Sequence, residues 1–216
     1  MNYTVLIISC HTYDSDSGNS YLEQLEKKIR YFMSKGIVYE EGKHLIVLFA
    51  GESVNDISQK LYDVCQNNSD VYVGIGTTVS QLTDIHRPYE TAFTAYQLTK
   101  TALPKNFLEY DKLGVYKLLA DIHNQSLTAD FLNSTLGPIL DYDAVHHTDY
   151  LHILEVYFDH DCSIIHTADA LYCHKNTLSY KLNKIKELLD YDILTNENRT
   201  DIMLSFYILR LEKRSI

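Results

Sequence analysis

The 216-residue chain has no tryptophan, only three prolines and only eight glycines. So little glycine and proline excludes collagen-like and low-complexity classes. No uninterrupted apolar run reaches the roughly 18 residues that a membrane-spanning helix needs. The opening run, Tyr3 to Cys10, is too short for a signal-peptide core and has no basic residue before it. These features predict a soluble, cytoplasmic chain with no membrane partner. The four cysteines, Cys10, Cys65, Cys162 and Cys173, show no C-x-x-C pair, so free thiols are expected. Positive charge is scarce as well: 19 basic residues against 29 acidic ones, a net charge of −10. Over the whole chain, that balance argues against a nucleic-acid partner, because binding phosphates needs positive charge.

Apolar residues make up 45% of the chain and are spread throughout, which excludes a disordered tail. The length suits one large or two small domains, each with its own core. Eighteen tyrosines supply much of the aromatic core in the absence of tryptophan. Charge is unevenly distributed. Residues 1–149 hold 19 acidic and 11 basic residues, whereas residues 150–216 hold 10 and 8. In the second part Lys175, Lys181, Lys184 and Lys186 share a stretch with no acid between them. The positive field is therefore local, and a polyanion site is sought there.

The N-terminal half alternates short apolar runs with amphipathic stretches. Tyr3–Ser9 is a β-branched run of buried-strand length. After a polar loop over residues 11–19, Ser20–Ser34 reads as a helix, with Ser20 and Glu23 as a capping pair and Gly36 as a stop. Ile37–Tyr39 and His44–Phe49 read as a hairpin, with Gly42 at the position needing positive φ. Val54–Gln66 and Tyr89–Thr101 read as helices, and Val71–Ile75 and Phe107–Tyr110 as strands. The order β-α-β-β-α-β-α-β predicts a sheet with helices on one face, of the ferredoxin-like kind.

This pattern resembles the GGDEF-like domain, a relative of the diguanylate and adenylate cyclases. Val73-Gly74-Ile75-Gly76, followed by Ala92, Tyr96 and Lys100, is similar to the strand and helix after the cyclase signature. The signature itself is replaced by Glu40-Glu41-Gly42-Lys43-His44. Where the first cyclase strand ends in a metal-binding Asp, this one ends Ile8-Ser9-Cys10. A two-carboxylate magnesium site cannot be assembled from these residues. The resemblance implies an inherited scaffold without catalytic residues, metal or cofactor. From Lys112 to Asp143 the pattern is continuously helical, broken at Gly137-Pro138.

Residues 150–216 are more specific. Tyr150–Phe158 reads as an amphipathic helix, broken by Asp159-His160-Asp161. Ser163 caps a short helix running to Leu171, with Ile164, Ala168 and Leu171 on one side. Tyr172-Cys173-His174 forms a turn. A second helix over Lys175–Leu189 has Leu178, Leu182, Ile185 and Leu189 facing inward. These are the dimensions of a helix-turn-helix, and the small Ala168 lets the two helices approach. The outward face carries Lys175, Asn176, Thr177, Tyr180, Lys181 and Lys184, residue types that pair with phosphates and hydrogen-bond to base edges. His174 caps the second helix. Cys162, His166, Cys173 and His174 match no common zinc-finger spacing.

The stretch Ala168–Leu188 resembles the helix-turn-helix of PucR/CdaR-type bacterial regulators, worded A-x-A-L-x-x-H-R-N-T-L-x-Y-R-L-x-x-I-x-x-L. The chain keeps Ala168, Ala170, Leu171, His174, Asn176, Thr177, Leu178, Tyr180, Leu182, Ile185 and Leu188. Lys175 and Lys181 stand where Arg is common, and Ser179 where Arg is frequent. The resemblance implies an α+β chain: a ferredoxin-like/GGDEF-like α/β sandwich (1–111), a helical connector (112–145) and an all-α helix-turn-helix domain (146–216). It implies a transcriptional regulator of a metabolic operon that is not an enzyme, with double-stranded DNA as partner. Lys175, Asn176, Thr177, Ser179, Tyr180, Lys181 and Lys184 are the expected DNA-binding residues. A homodimer is expected, with a small-molecule effector or a sensor region ahead of this chain. The alternative is a nucleotide-binding or protein-interaction module whose helix-turn-helix no longer binds DNA, kept open by Ser179 and the acidic background.

Overall fold

The computed structural model describes residues 1–10, 16–32, 36–51, 53–66, 71–101, 105–122 and 124–212. The chain divides into two units, Met1–Ile122 with the segment from Arg210, and His123–Leu209. The boundary falls inside the helical stretch expected over 112–145.

The first unit is built on a five-stranded sheet of order β2-β3-β1-β4-β5. Its strands are β1 (Tyr3–Cys10), β2 (Gly36–Glu41), β3 (His44–Ala50), β4 (Val71–Val79) and β5 (Phe107–Glu109). β1 pairs antiparallel with β3 and β4, β2 antiparallel with β3, and β5 parallel with β4. The helices are α1 (Asp16–Phe32), α2 (Val54–Gln66), α3 (His86–Thr101) and the short α4 (Tyr116–Leu119). Gly42 turns the β2–β3 hairpin at φ 58°, as its place in the sequence predicts.

The helices cover both faces of this sheet, which corrects the expectation of one. Leu6, Ile8, Leu45, Val47, Val73 and Ile75 pack with Leu25 and Ile29 of α1 and Ile57 and Leu61 of α2. On the opposite face, Val5 and Ile7 pack with Ala92 and Tyr96 of α3. The reason lies in β1, which is apolar at every position from Val5 to Ile8 and needs cover on both sides. α3 lies directly on β4. A Cβ on Gly74 would stand 2.3 Å from Ala92 O and Tyr96 N, and one on Gly76 would stand 2.0 Å from Pro88 O. α1 also begins a turn earlier than its cap predicts, at Asp16 rather than Ser20.

The second unit is helical: α5 (Gln125–His146), α6 (Tyr150–Asp159), α7 (Ile164–Ala170), α8 (Lys175–Leu189) and α9 (Asn196–Glu212), the last reaching into the C-terminal segment of the first unit. α5 runs unbroken through Gly137 and Pro138, against the expected break. Pro138 removes one helical donor, but burial of Leu132, Leu136 and Ile139 on both sides of it holds the helix together. Leu136 and Ile139 share one core with Leu154, Phe158, Ala168, Leu178, Leu182, Ile185 and Phe206. After α5 ends on left-handed His147, the Asp143 carboxylate accepts the Tyr150 and Leu151 amides at 3.0 and 2.9 Å. It also accepts the Thr148 hydroxyl. This cap starts α6 against the end of α5. Among the described residues, no helix is long and apolar enough to cross a membrane.

Candidate nucleic-acid interface

α7 and α8 build the candidate interface from their caps inward. The Ser163 hydroxyl accepts the His166 amide at 3.4 Å and opens α7, as expected. Thr167 is fully buried, and its hydroxyl donates to Ser163 O at 2.7 Å. Ala168 is buried in the shared core and lets α8 approach. Ile164 is exposed, although sequence spacing places it inward: it begins the helix beyond the edge of the core, and Thr167 takes the inward place. The turn closes through Cys173 N to Ala168 O at 3.0 Å. Tyr172 adopts left-handed backbone, φ 51°, and its residue is 98% exposed. His174 caps α8 as predicted: its Nδ1 accepts the Asn176 amide at 3.2 Å.

α8 then divides cleanly by face. Leu178, Leu182, Ile185 and Leu189 are buried. Lys175, Asn176, Thr177 and Tyr180 are exposed; Ser179, Lys181 and Lys184 lie half-buried on the flanks. The helix brings all seven expected residues onto one element, but two of the lysines are already paired. Lys181 Nζ lies 3.0 Å from Asp149 Oδ1, and Lys184 Nζ lies 3.0 Å from Glu187 Oε2. The hydrogen bond to Glu187, and then its charge, hold the Lys184 amine above its ordinary range. Sequence reading passed over Asn183. It is exposed and sits seven residues after Asn176, a spacing that would have found it.

In the first unit, the end of β1 carries hydroxyls instead of a carboxylate. Ser9 Oγ hydrogen-bonds Tyr96 OH at 2.8 Å, and Tyr96 OH contacts His44 Nε2 at 3.1 Å. Lys100 Nζ stands 4.5 Å from the Tyr96 ring centroid. Burial, then the charge of Lys100, holds the His44 imidazole below the ordinary histidine range. Glu40 and Glu41 are exposed on the hairpin.

Residues 1–98 match the GGDEF-like domain family, and residues 150–208 match the PucR C-terminal helix-turn-helix domain family. The fold and interface thus define a GGDEF-like domain followed by a helix-turn-helix domain. That second domain is similar to the PucR C-terminal helix-turn-helix domain family, and the chain's curated relatives are regulators of the PucR/CdaR type. The proline-responsive transcriptional activator PutR of Bacillus subtilis (strain 168) is 27% identical over 142 residues, 65% of this chain and 34% of that protein. The purine catabolism regulatory protein of the same organism is 30% identical over 65% of this chain and 26% of its own length. The carbohydrate diacid regulator of Escherichia coli (strain K12) is 28% identical over 65% and 35%. The matches therefore span about a third or less of these relatives. A regulator of polyketide synthase expression from Bifidobacterium adolescentis aligns over 99% of this chain and 82% of its own, with TM-score 0.38 and 15% identity.

Proposed function

We propose that this chain is the DNA-binding part of a PucR/CdaR-type transcriptional regulator that controls a metabolic operon from the cytoplasm. One observation carries the reading. A capped helix, a four-residue turn (171–174) and a second capped helix share a core, and the second helix turns a polar face away from its buried leucine stripe. A helix of that form fits the major groove, with its N-terminal residues at the base edges. Lys175, Asn176, Thr177, Ser179, Tyr180, Lys181 and Lys184 are the contacting residues in this reading. The relatives' names join regulation to proline, purine and sugar-diacid metabolism, which supports a small-metabolite effector. Two copies acting on paired half-sites complete the proposal.

The GGDEF-like domain serves here as a scaffold and not as a cyclase. Ser9, Tyr96 and His44 hold the end of β1 through hydroxyl and imidazole hydrogen bonds, where two-metal phosphoryl chemistry needs carboxylates.

The test is duplex binding over a salt series, with DNA upstream of the chain's own gene. Lys175 is exposed and forms no ion pair among the described residues. Lys175→Ala is expected to weaken binding to all sequences alike and to lower the salt slope by about 1. A parent chain that binds no duplex at low salt overturns the proposal and leaves a protein-interaction module.

A further inference from the structure

We infer that Asn183 is a specificity-determining residue of α8 that reads an A·T pair, with Asn176 reading a second; the inference rests on the DNA-binding reading above. The buried stripe fixes which way α8 faces. With 3.6 residues per turn, Asn176, Tyr180 and Asn183 fall at i, i+4 and i+7, opposite Leu178, Leu182 and Ile185. All three are exposed, and Tyr180 is 70% so. The lysines lie beside this stripe. Asp149 holds Lys181, and Glu187 holds Lys184. What α8 presents most directly is therefore two carboxamides flanking an aromatic ring, with the exposed Glu187, paired to Lys184, one turn beyond Asn183.

The chemistry of that face is selective. A carboxamide donates and accepts side by side, matching the N7 acceptor and N6 donor of adenine in the major groove. An ammonium only donates. Asn183 also has no evident structural use. Its side chain makes no hydrogen bond among the described residues, and Asn is a poorer helix former than Ala in mid-helix. At about 1.5 Å rise per residue the two carboxamides stand roughly 10 Å apart along the helix, about three base-pair steps of roughly 3.4 Å.

Selection from a random duplex pool, with the full chain and with its Asn183→Ala and Asn176→Ala variants, tests this. The parent is expected to enrich a half-site with two A·T pairs about three steps apart. Asn183→Ala is expected to lose preference at one of them, by about 10-fold, with an unchanged salt slope. Asn176→Ala should lose the other. Alanine favours the exposed helix, so the variant keeps its fold. An Asn183→Ala variant that enriches the parent's motif, or that weakens on every sequence equally, overturns the inference and leaves DNA binding standing. A parent chain that enriches no motif overturns both.

Discussion

Tyr172 occupies a backbone conformation that costs a side chain about 1–2 kcal/mol and costs glycine almost nothing. Its ring is almost wholly exposed, so no packing offsets that strain. Tyr172→Gly is therefore expected to stabilise the helix-turn-helix by about 0.5–1 kcal/mol, less than the strain because glycine also loosens the unfolded chain. The thermal midpoint of the transition that includes α7 and α8 should rise by a few degrees. Tyr172→Ala keeps the Cβ clash and serves as the control. A glycine variant that melts below the alanine variant would contradict the strain reading. The length of this turn is legible in the sequence to within one residue: the first helix ends at Ala170 rather than Leu171, and the second begins at Lys175 as expected. Its handedness is not: tyrosine gives no hint of positive φ, and the conformation goes with hydrogen bonds from Tyr172 N to Asp169 O and from Cys173 N to Ala168 O. His174 is the opposite case, since a side-chain acceptor just before an amphipathic run is a local capping signal and needs no tertiary information.

Elements whose apolar spacing is strictly local were legible: the two hairpin strands, α2, α6 and α8 all fall within a residue or two of their sequence limits. Where tertiary burial decides, periodicity alone failed. Pro138 reads as a stop, yet the buried residues around it carry α5 through. Helices on one face follow from element order, yet the unbroken apolar run of β1 demands both. The Gly74-Ile75-Gly76 pattern records that second face, because each glycine removes a Cβ from the path of α3. Gly74→Ala places a methyl group against Ala92 O and Tyr96 N, backbone atoms that cannot swing aside. The expected loss is about 3 kcal/mol or more, at or above the upper end of core overpacking. Denaturant unfolding of the full chain reads it as a lower midpoint for the sheet-containing unit. An alanine variant within about 0.5 kcal/mol of the parent would show that α3 does not seat on β4 this closely.

At the scale of the molecule, charge sets the problem that DNA binding must solve. The whole chain carries −10, and the stretch with the helix-turn-helix gains little non-specific attraction to phosphate with 10 acidic and 8 basic residues. Lys181 and Lys184 are further neutralised by Asp149 and Glu187. In the proposed reading, one such domain makes few contacts, and two copies on two half-sites supply the affinity. A two-fold dimer places those half-sites about one helical turn apart, roughly 34 Å or about 10 base pairs. Inserting about five base pairs between them turns one half-site to the far side of the duplex and should abolish cooperative binding. Inserting about ten restores the face and should recover much of the affinity. Sedimentation of the full chain at micromolar concentration supplies the second measurement, with a species of twice 25.0 kDa expected. A chain that stays monomeric and binds one operator tightly, whatever the spacing, would overturn the dimer and require the missing affinity to come from contacts outside α8.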